Sequence, residues 1–390
     1  MDAKEFRDHL TEKLIPFWNK LKDEEYGGFY GCMDYNLTVF PQSEKGVILN
    51  DRILWFYSNA YLSLKDEALL EMAKHAYEFL KTYCMDEKYG GVYWSMNYDG
   101  SVLDDTKHTY NQAFAIYALS SYYDASGDEE ALQFAYQLYE VIENKCRDAN
   151  GYLEAFTRDF TPESNEKLST NGVIAERTMN TLLHVMEAYT ELYRVDKSIS
   201  VGLSLENILD LIEKYVYDDE NKACRVFFDR EYNSLKDLHS FGHDIETAWL
   251  IDRACEVLDI PFVTEKMNAI TIQLVKKVYE VAFDSSMNAL DYEREGDHIN
   301  KERIWWVQAE AVVGFYNAYQ KNPDHEKYKE TAENIWEYIK QYFIDPRCGE
   351  WFWRVYDDGS ADKEPMLVDP WKCPYHNGRM CMEMIHRIEG

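Results

Sequence analysis

A short acidic turn followed by aromatic or β-branched residues recurs along the whole chain, and this recurrence limits the fold more than any other feature. It reads DEEYGGFYG from Asp23 to Gly31, DEKYGGVYW from Asp86 to Trp94, DANGYLEAF from Asp148 to Phe156 and DPRCGEWFW from Asp345 to Trp353. Two weaker copies, NKACRVFFD from Asn221 to Asp229 and SMNALDYER from Ser286 to Arg294, lose the glycine and keep the strand-like run. Successive first residues lie 63, 62, 73, 65 and 59 positions apart, so six units fill the 390-residue chain. Length alone suggests two or three domains. A repeat of this size instead makes residues 1–390 one domain built of six units.

Between the turns the apolar residues follow the helical period and not the alternation of strands. Within most units one segment is apolar or aromatic nearly all round, as in YNQAFAIYALSSYY, and its partner carries one charged face, as in EKYKETAENIWEYIKQYF. The first kind must be buried and the second lines a surface. With Lys4 to Leu21 at the start and His376 to Ile388 at the end, about twelve helices result, six inner and six outer. The expected fold is all-α, an (α/α)6 barrel with short β-hairpins in the loops. An open helical solenoid of the same pairs would need polar capping repeats. The last segment, PYHNGRMCMEMIHRI, is not polar in that way, so closure is expected.

Charge and cysteine content narrow the setting. Lysine and arginine total 41 against 71 aspartates and glutamates, a formal charge of −30. Such a chain repels a phosphate backbone and an anionic membrane surface. No apolar run approaches a membrane span, and MDAKEFRDHL lacks the basic-then-apolar pattern of a signal peptide. The eight cysteines show no CxxC pair and read as reduced thiols. A cytoplasmic protein, as a monomer, is the expectation, with neither nucleic acid nor membrane as partner.

If the inner helices run along the barrel axis, their starts converge at one end. Arg52, Tyr110, Asn180, His243, Trp306 and His376 sit at or near successive inner-helix starts, 58, 70, 63, 63 and 70 positions apart. A cup lined by these residues is polar with aromatic walls and suits a hydroxyl-rich ligand. Helical spacing adds His184 to Asn180, Glu246 to His243 and Glu310 to Trp306, each pair sharing a helix face. His184 alone also suits a satisfied core histidine. His243 in SFGHDIE and His376 in CPYHNGR lie at glycine- or proline-marked helix starts and point to catalysis or ligand contact. His9, His75, His298, His325 and His386 read as structural, and His108 and His239 stay open. Cys373 and Cys381 lie near the cup without a base to activate them and read as packing. With no HExxH or comparable spacing and no glycine-rich phosphate or dinucleotide loop, neither a metal nor a cofactor is expected.

The stretches PFWNKLKDEEYGGFYG, KGVILNDRILWFYSNAY, KHTYNQAFAIYALSSYY, SFGHDIETAWL, RIWWVQAEAVVGF and DPWKCPYHNGRMCMEMI resemble the cellobiose 2-epimerases, within the N-acylglucosamine 2-epimerase superfamily. The similarity runs from about residue 15 to the C-terminus. It implies an (α/α)6 barrel and reversible epimerisation at C2 of the reducing-end glucose of β-1,4-linked disaccharides, cellobiose to glucosyl-mannose and lactose to epilactose. Such chemistry needs an acid/base group on each side of C2, and histidine suits that role. The resemblance makes His376 the group for the gluco face and His243 that for the manno face. It makes Arg52 and His184 residues that bind or polarise the reacting end, and Glu246 a carboxylate orienting His243 or a sugar hydroxyl. Tyr110 and Asn180 become ligand contacts, and Trp306 and Trp371 aromatic platforms. Two rival readings follow from the same residues. An aldose–ketose isomerase would return the proton to C1. An (α/α)6 glycoside hydrolase would need two flanking carboxylates, for which Asp51, Glu246 and Glu310 are available, but it leaves both histidines idle.

Overall fold

The computed structural model describes residues 1–168 and 172–390. Twelve helices among them alternate between two rings. The outer ring comprises α1 (3–19), α3 (67–84), α5 (129–146), α7 (199–216), α9 (Pro261–Val281) and α11 (326–343). The inner ring comprises α2 (Val47–Leu64), α4 (Thr109–Ser126), α6 (Met179–Val195), α8 (Phe241–Leu258), α10 (Trp305–Lys321) and α12 (His376–Glu389). Each inner helix packs on the next, and α12 packs back on α2, so the ring is closed and the open solenoid is not formed. Arg7 of α1 clasps the last turn of α12 through both oxygens of Glu389 at 2.8 and 2.7 Å. No helix among the described residues is long and apolar enough to cross a membrane.

Burial follows the sequence pattern. Every residue of α4 from Thr109 to Tyr122 is buried, whereas α11 buries Tyr328, Thr331, Ala332, Ile335, Trp336, Tyr338, Ile339 and Phe343 along one stripe and exposes the rest to varying degrees. Periodicity does not show how the outer helices end. α3, α5, α7 and α11 each finish in a five-residue π turn. The wider turn keeps its first and last residues on the buried side, as with Leu80 and Cys84 or Ile142 and Cys146.

The acidic turns position the inner helices. In all six units one aspartate, Asp23, Asp86, Asp148, Asp218, Asp284 or Asp345, accepts a backbone N–H two residues on. In units four and five the turn therefore begins at Asp218 and Asp284, not at Asn221 and Ser286. The corrected spacings are 63, 62, 70, 66 and 61. Where glycine is missing, Lys222 at φ 55° and Asn288 at φ 58° adopt the left-handed conformation in its place. The strand after the turn forms a hairpin and then crosses to the previous unit. Ala155–Phe156 pairs with Lys107–His108 before α4, and Phe227–Phe228 pairs with Arg177–Thr178 before α6. Inner-helix starts are thus stitched to the following turn, which gathers all six at one end.

A cation two residues before an inner helix reaches back to its own unit's turn: Lys45 to Asp23 at 2.6 Å, Lys107 to Asp86 at 3.2 Å, Arg177 to Asp148 at 2.7 Å and Arg303 to Asp284 at 3.1 Å. Burial pulls the Lys107 ammonium down to about 8 against the upward effect of Asp86, while Arg158 and Lys107 hold Asp86 well below the usual carboxylate range against the effect of burial. Breaking a buried pair on one side leaves the other group unmatched. Asp86→Ala is therefore expected to destabilise the fold by about 3 kcal/mol. The check is a lower urea midpoint at unchanged slope, and an unchanged midpoint would show the clamp to be idle.

Candidate active site

The inner-helix starts enclose a cavity of about 310 Å³. Arg52, Tyr110, Asn180, His184, His243, Glu246, Trp306, Trp371 and His376 all line it, so nine of the ten residues singled out in the sequence meet there. Glu310 does not. It lies behind His376 and accepts that ring's Nδ1–H at 2.7 Å, so it orients a histidine where a ligand contact was expected.

The three histidines are held by different partners. His376 Nδ1 meets the Glu310 carboxylate, His184 Nδ1 meets Glu187 at 2.9 Å, and His243 Nδ1 meets the Ser240 hydroxyl at 2.7 Å. With Nδ1 engaged, Nε2 is the free nitrogen of each ring. A carboxylate accepts only, so it fixes His376 and His184 with the proton on Nδ1 and a basic Nε2. A serine hydroxyl both donates and accepts, so Ser240 suits His243 in either protonation state. Glu246 is expected to orient His243 or a sugar hydroxyl, and the first of these contacts is not formed. Instead its Oε1 accepts from Arg379, and its Oε2 is buried without a protein partner. Among the described residues that oxygen, together with Asn180 Oδ1, has its hydrogen-bonding capacity unused by protein.

Trp306 stands between the two histidines predicted to be catalytic, its ring 4.6 Å from His243 and 5.6 Å from His376. Opposite features belong to Arg52, which donates to the Tyr110 hydroxyl at 2.9 Å while its guanidinium lies 4.3 Å from the Phe114 ring and 4.9 Å from that of Tyr375. Cys373 Sγ lies 3.9 Å from Arg52, and burial pushes its thiol up, so it packs and is not an activated nucleophile. Trp371 approaches Tyr110 and Trp94 at 6.1 and 5.9 Å, forming an aromatic wall with Trp305, Trp353 and Tyr292.

Beneath the cavity Arg379 binds three carboxylates. It donates to Glu187, to Glu246 and, at 2.7 Å, to Glu310. The arrangement sets the protonation of everything above it. Burial pushes Glu246 and Glu310 up, the more so for Glu246 because Glu310 lies beside it. Glu187 is drawn down to about 2, since Arg379 and His184 outweigh its burial. His243 is lowered to about 3 by burial and by the neighbouring His184 and His376, and His376 is held well below the usual 6.5 by burial and by Arg379 and Arg52. All three histidines are thus neutral at pH 7 and available as bases. Glu246, Glu310 and His376 offer ligand atoms within 4.8 Å of one another, in the manner of a metal site. The guanidinium of Arg379 already bridges both carboxylates and supplies the positive charge there.

Ser240, Glu187, Glu310's role and Arg379 escaped the sequence reading. Three of these carry a signal: Glu187 follows His184 by three residues, Arg379 follows His376 by three and Ser240 precedes His243 by three, the spacing that ties His243 to Glu246. Of the histidines left open, His239 packs against Arg294, and His108 lies on Trp94 with both ring nitrogens buried and unpartnered.

The fold agrees with what the chain is similar to. The sequence profile of N-acylglucosamine 2-epimerase (GlcNAc 2-epimerase) matches residues 28–377. A cellobiose 2-epimerase of Ruminococcus albus is 51% identical over 388 residues, 99% of each chain. The structure of a cellobiose 2-epimerase of Bacillus thermoamylovorans superposes with a TM-score of 0.95 at 45% identity, covering 99% of both chains. A D-mannose isomerase shares the fold, with a TM-score of 0.85 at 18% identity over 99% of this chain and 98% of its own. The chain belongs to the N-acylglucosamine 2-epimerase family and is an isomerase of its cellobiose 2-epimerase branch.

Proposed function

We propose that this protein inverts C2 of the reducing-end glucose of β-1,4-linked disaccharides, cellobiose to glucosyl-mannose and lactose to epilactose, with His376 and His243 as its acid/base pair. The observation that carries the reading is the pair itself: two neutral imidazoles from α12 and α8 on either side of Trp306, each with Nδ1 engaged and Nε2 free. The reaction begins from the open-chain aldehyde, whose carbonyl acidifies the C2–H. His376 Nε2 takes that proton from the gluco configuration, and Glu310 stabilises the imidazolium that forms. The cis-enediolate carries its charge on O1 and O2 and is met by the Arg52 cation, while the proton-free Nε2 of His184 accepts a hydrogen bond from a hydroxyl of the reacting end. His243, neutral until then, takes a proton from solvent on Nε2 and passes it to the opposite face of C2, while His376 releases its own to solvent, so both rings end neutral. Glu246 Oε2 and Asn180 Oδ1 accept sugar hydroxyls, and Trp306 and Trp371 carry the rings. No step calls on a cofactor. Eight free cysteines, six of them buried, suit a reducing cytoplasm.

Because each proton passes through a histidine that exchanges with water, cellobiose turned over in deuterated water is expected to yield glucosyl-mannose carrying deuterium at C2, read by NMR. A ketose as the main product would assign the site to aldose–ketose isomerisation, and free glucose to hydrolysis.

A further inference from the structure

The barrel has a second mouth, and we propose that it is a binding site for a small neutral polyhydroxyl molecule of monosaccharide size, whose occupancy reaches the catalytic pair through Arg379. At the C-terminal ends of the inner helices, opposite the catalytic cavity, lies a cavity of about 340 Å³, as large as the first. Its walls are aromatic. Trp55 and Tyr117 stack at 5.4 Å with an interplanar angle of 18°, and Trp249 faces the same space. Neither the Tyr117 hydroxyl nor the Trp55 indole N–H has a protein hydrogen-bond partner among the described residues, and neither atom is sealed from solvent, so both are open to a molecule that enters the cavity.

Charge identifies the kind of molecule. Arg194 at the rim is paired with Asp124 and with Glu191, each at 2.7 Å, and Glu383 is paired with Arg387 at 3.0 Å. The floor carboxylate, Glu187, is held by Arg379. With its charges paired within the wall, the cavity attracts neither anion nor cation strongly. Flat aromatic faces beside hydroxyl and amide groups match a sugar ring, with its apolar C–H face and hydroxyl edge.

Arg379 lines this far cavity while bonding Glu310, which holds His376, and Glu187, which holds His184. A ligand that touches Arg379 changes how firmly both carboxylates are held, and that is a coupling between two sites. Methyl β-D-glucopyranoside, which cannot open its ring, serves as the probe. In wild-type protein it is expected to move the ¹⁵N–¹H indole signals of Trp55 and Trp249 saturably, and to change kcat for cellobiose at saturating substrate by about twofold or more. Asn59→Trp, which fills the far cavity, should leave basal kcat and KM intact and abolish both effects; Ser63→Trp at the rim replaces it if Asn59→Trp does not fold. Shifts confined to Trp306 and Trp371, no shift at all, or a kcat that does not change or changes equally in the filled variants overturns the proposal. The indole shifts read binding directly, so they separate this outcome from any failure of the substrate assignment.

Discussion

His376→Ala and His243→Ala are each expected to lower kcat/KM for epimerisation by about 10²–10⁴-fold, the usual contribution of a placed general acid or base. The loss alone does not assign faces, but isotope exchange does. If His376 works on the gluco face, His243→Ala still removes and returns the C2 proton of cellobiose from that face. It therefore exchanges deuterium into cellobiose while making almost no epimer. His376→Ala should show the mirror result, exchange into glucosyl-mannose only. Exchange in both sugars by both variants would reject the two-base scheme. The pH dependence follows from the same geometry. Burial keeps both histidines neutral well below 6.5, His243 down to about 3, so kcat/KM of the wild type should stay level as pH falls through 6.5. The linkage to stability runs the other way. A histidine whose folded pKa is depressed contributes stability above its unfolded value of about 6.5, and that contribution is lost as pH falls, because the unfolded chain takes the proton first. Initial rates measured before unfolding separate the two effects.

The sequence showed the rings and the ligand cup because both are periodic. An inner helix such as α4 is apolar on every side, and nothing but a buried position explains that. The repeat then placed Arg52, Tyr110, Asn180, His243, Trp306 and His376 at equivalent points, which chain closure brought together at one cavity. What stayed illegible depends on contacts between units. Glu310 sits 66 residues from His376, and Arg379 sits 192 from Glu187, distances over which spacing carries no information. Glu310 was read as a ligand contact because it shares a helix face with Trp306, yet a face one turn deeper points beneath the cavity and not into it. The turns in units four and five were misphased by two or three residues for a similar reason. Without the glycine, the strand-like run is the only conspicuous mark of the turn, and the aspartate that organises it lies just before, at Asp218 and Asp284.

Arg379→Met should be the most damaging single change in the barrel that leaves side-chain volume nearly intact. Among the described residues the guanidinium is the one cation that bonds Glu187, Glu246 and Glu310, all of them buried, so its removal leaves like charges facing each other. Loss of one side of a buried network costs about 3–5 kcal/mol, a large part of the stability of a typical domain. The pH dependence identifies the cause. In the wild type Glu187 titrates at about 2, below its unfolded value of about 4.5, so its contribution is present at neutral pH and survives mild acid. Without Arg379, burial dominates and raises all three carboxyls above their unfolded values. Groups raised in this way are most destabilising when pH is high, because the unfolded chain ionises more readily than the folded one. The stability gap between Arg379→Met and wild type should therefore narrow as pH is lowered from 7 to 5.5, as read by paired urea titrations at each pH. Alongside burial, Arg379 also holds His376 and His184 down, so its loss lets those rings take a proton more readily in the folded state and narrows the gap in the same direction. A gap that is constant with pH would mean that Arg379 acts by packing, and that the carboxylates beneath the cavity are held by something other than its charge.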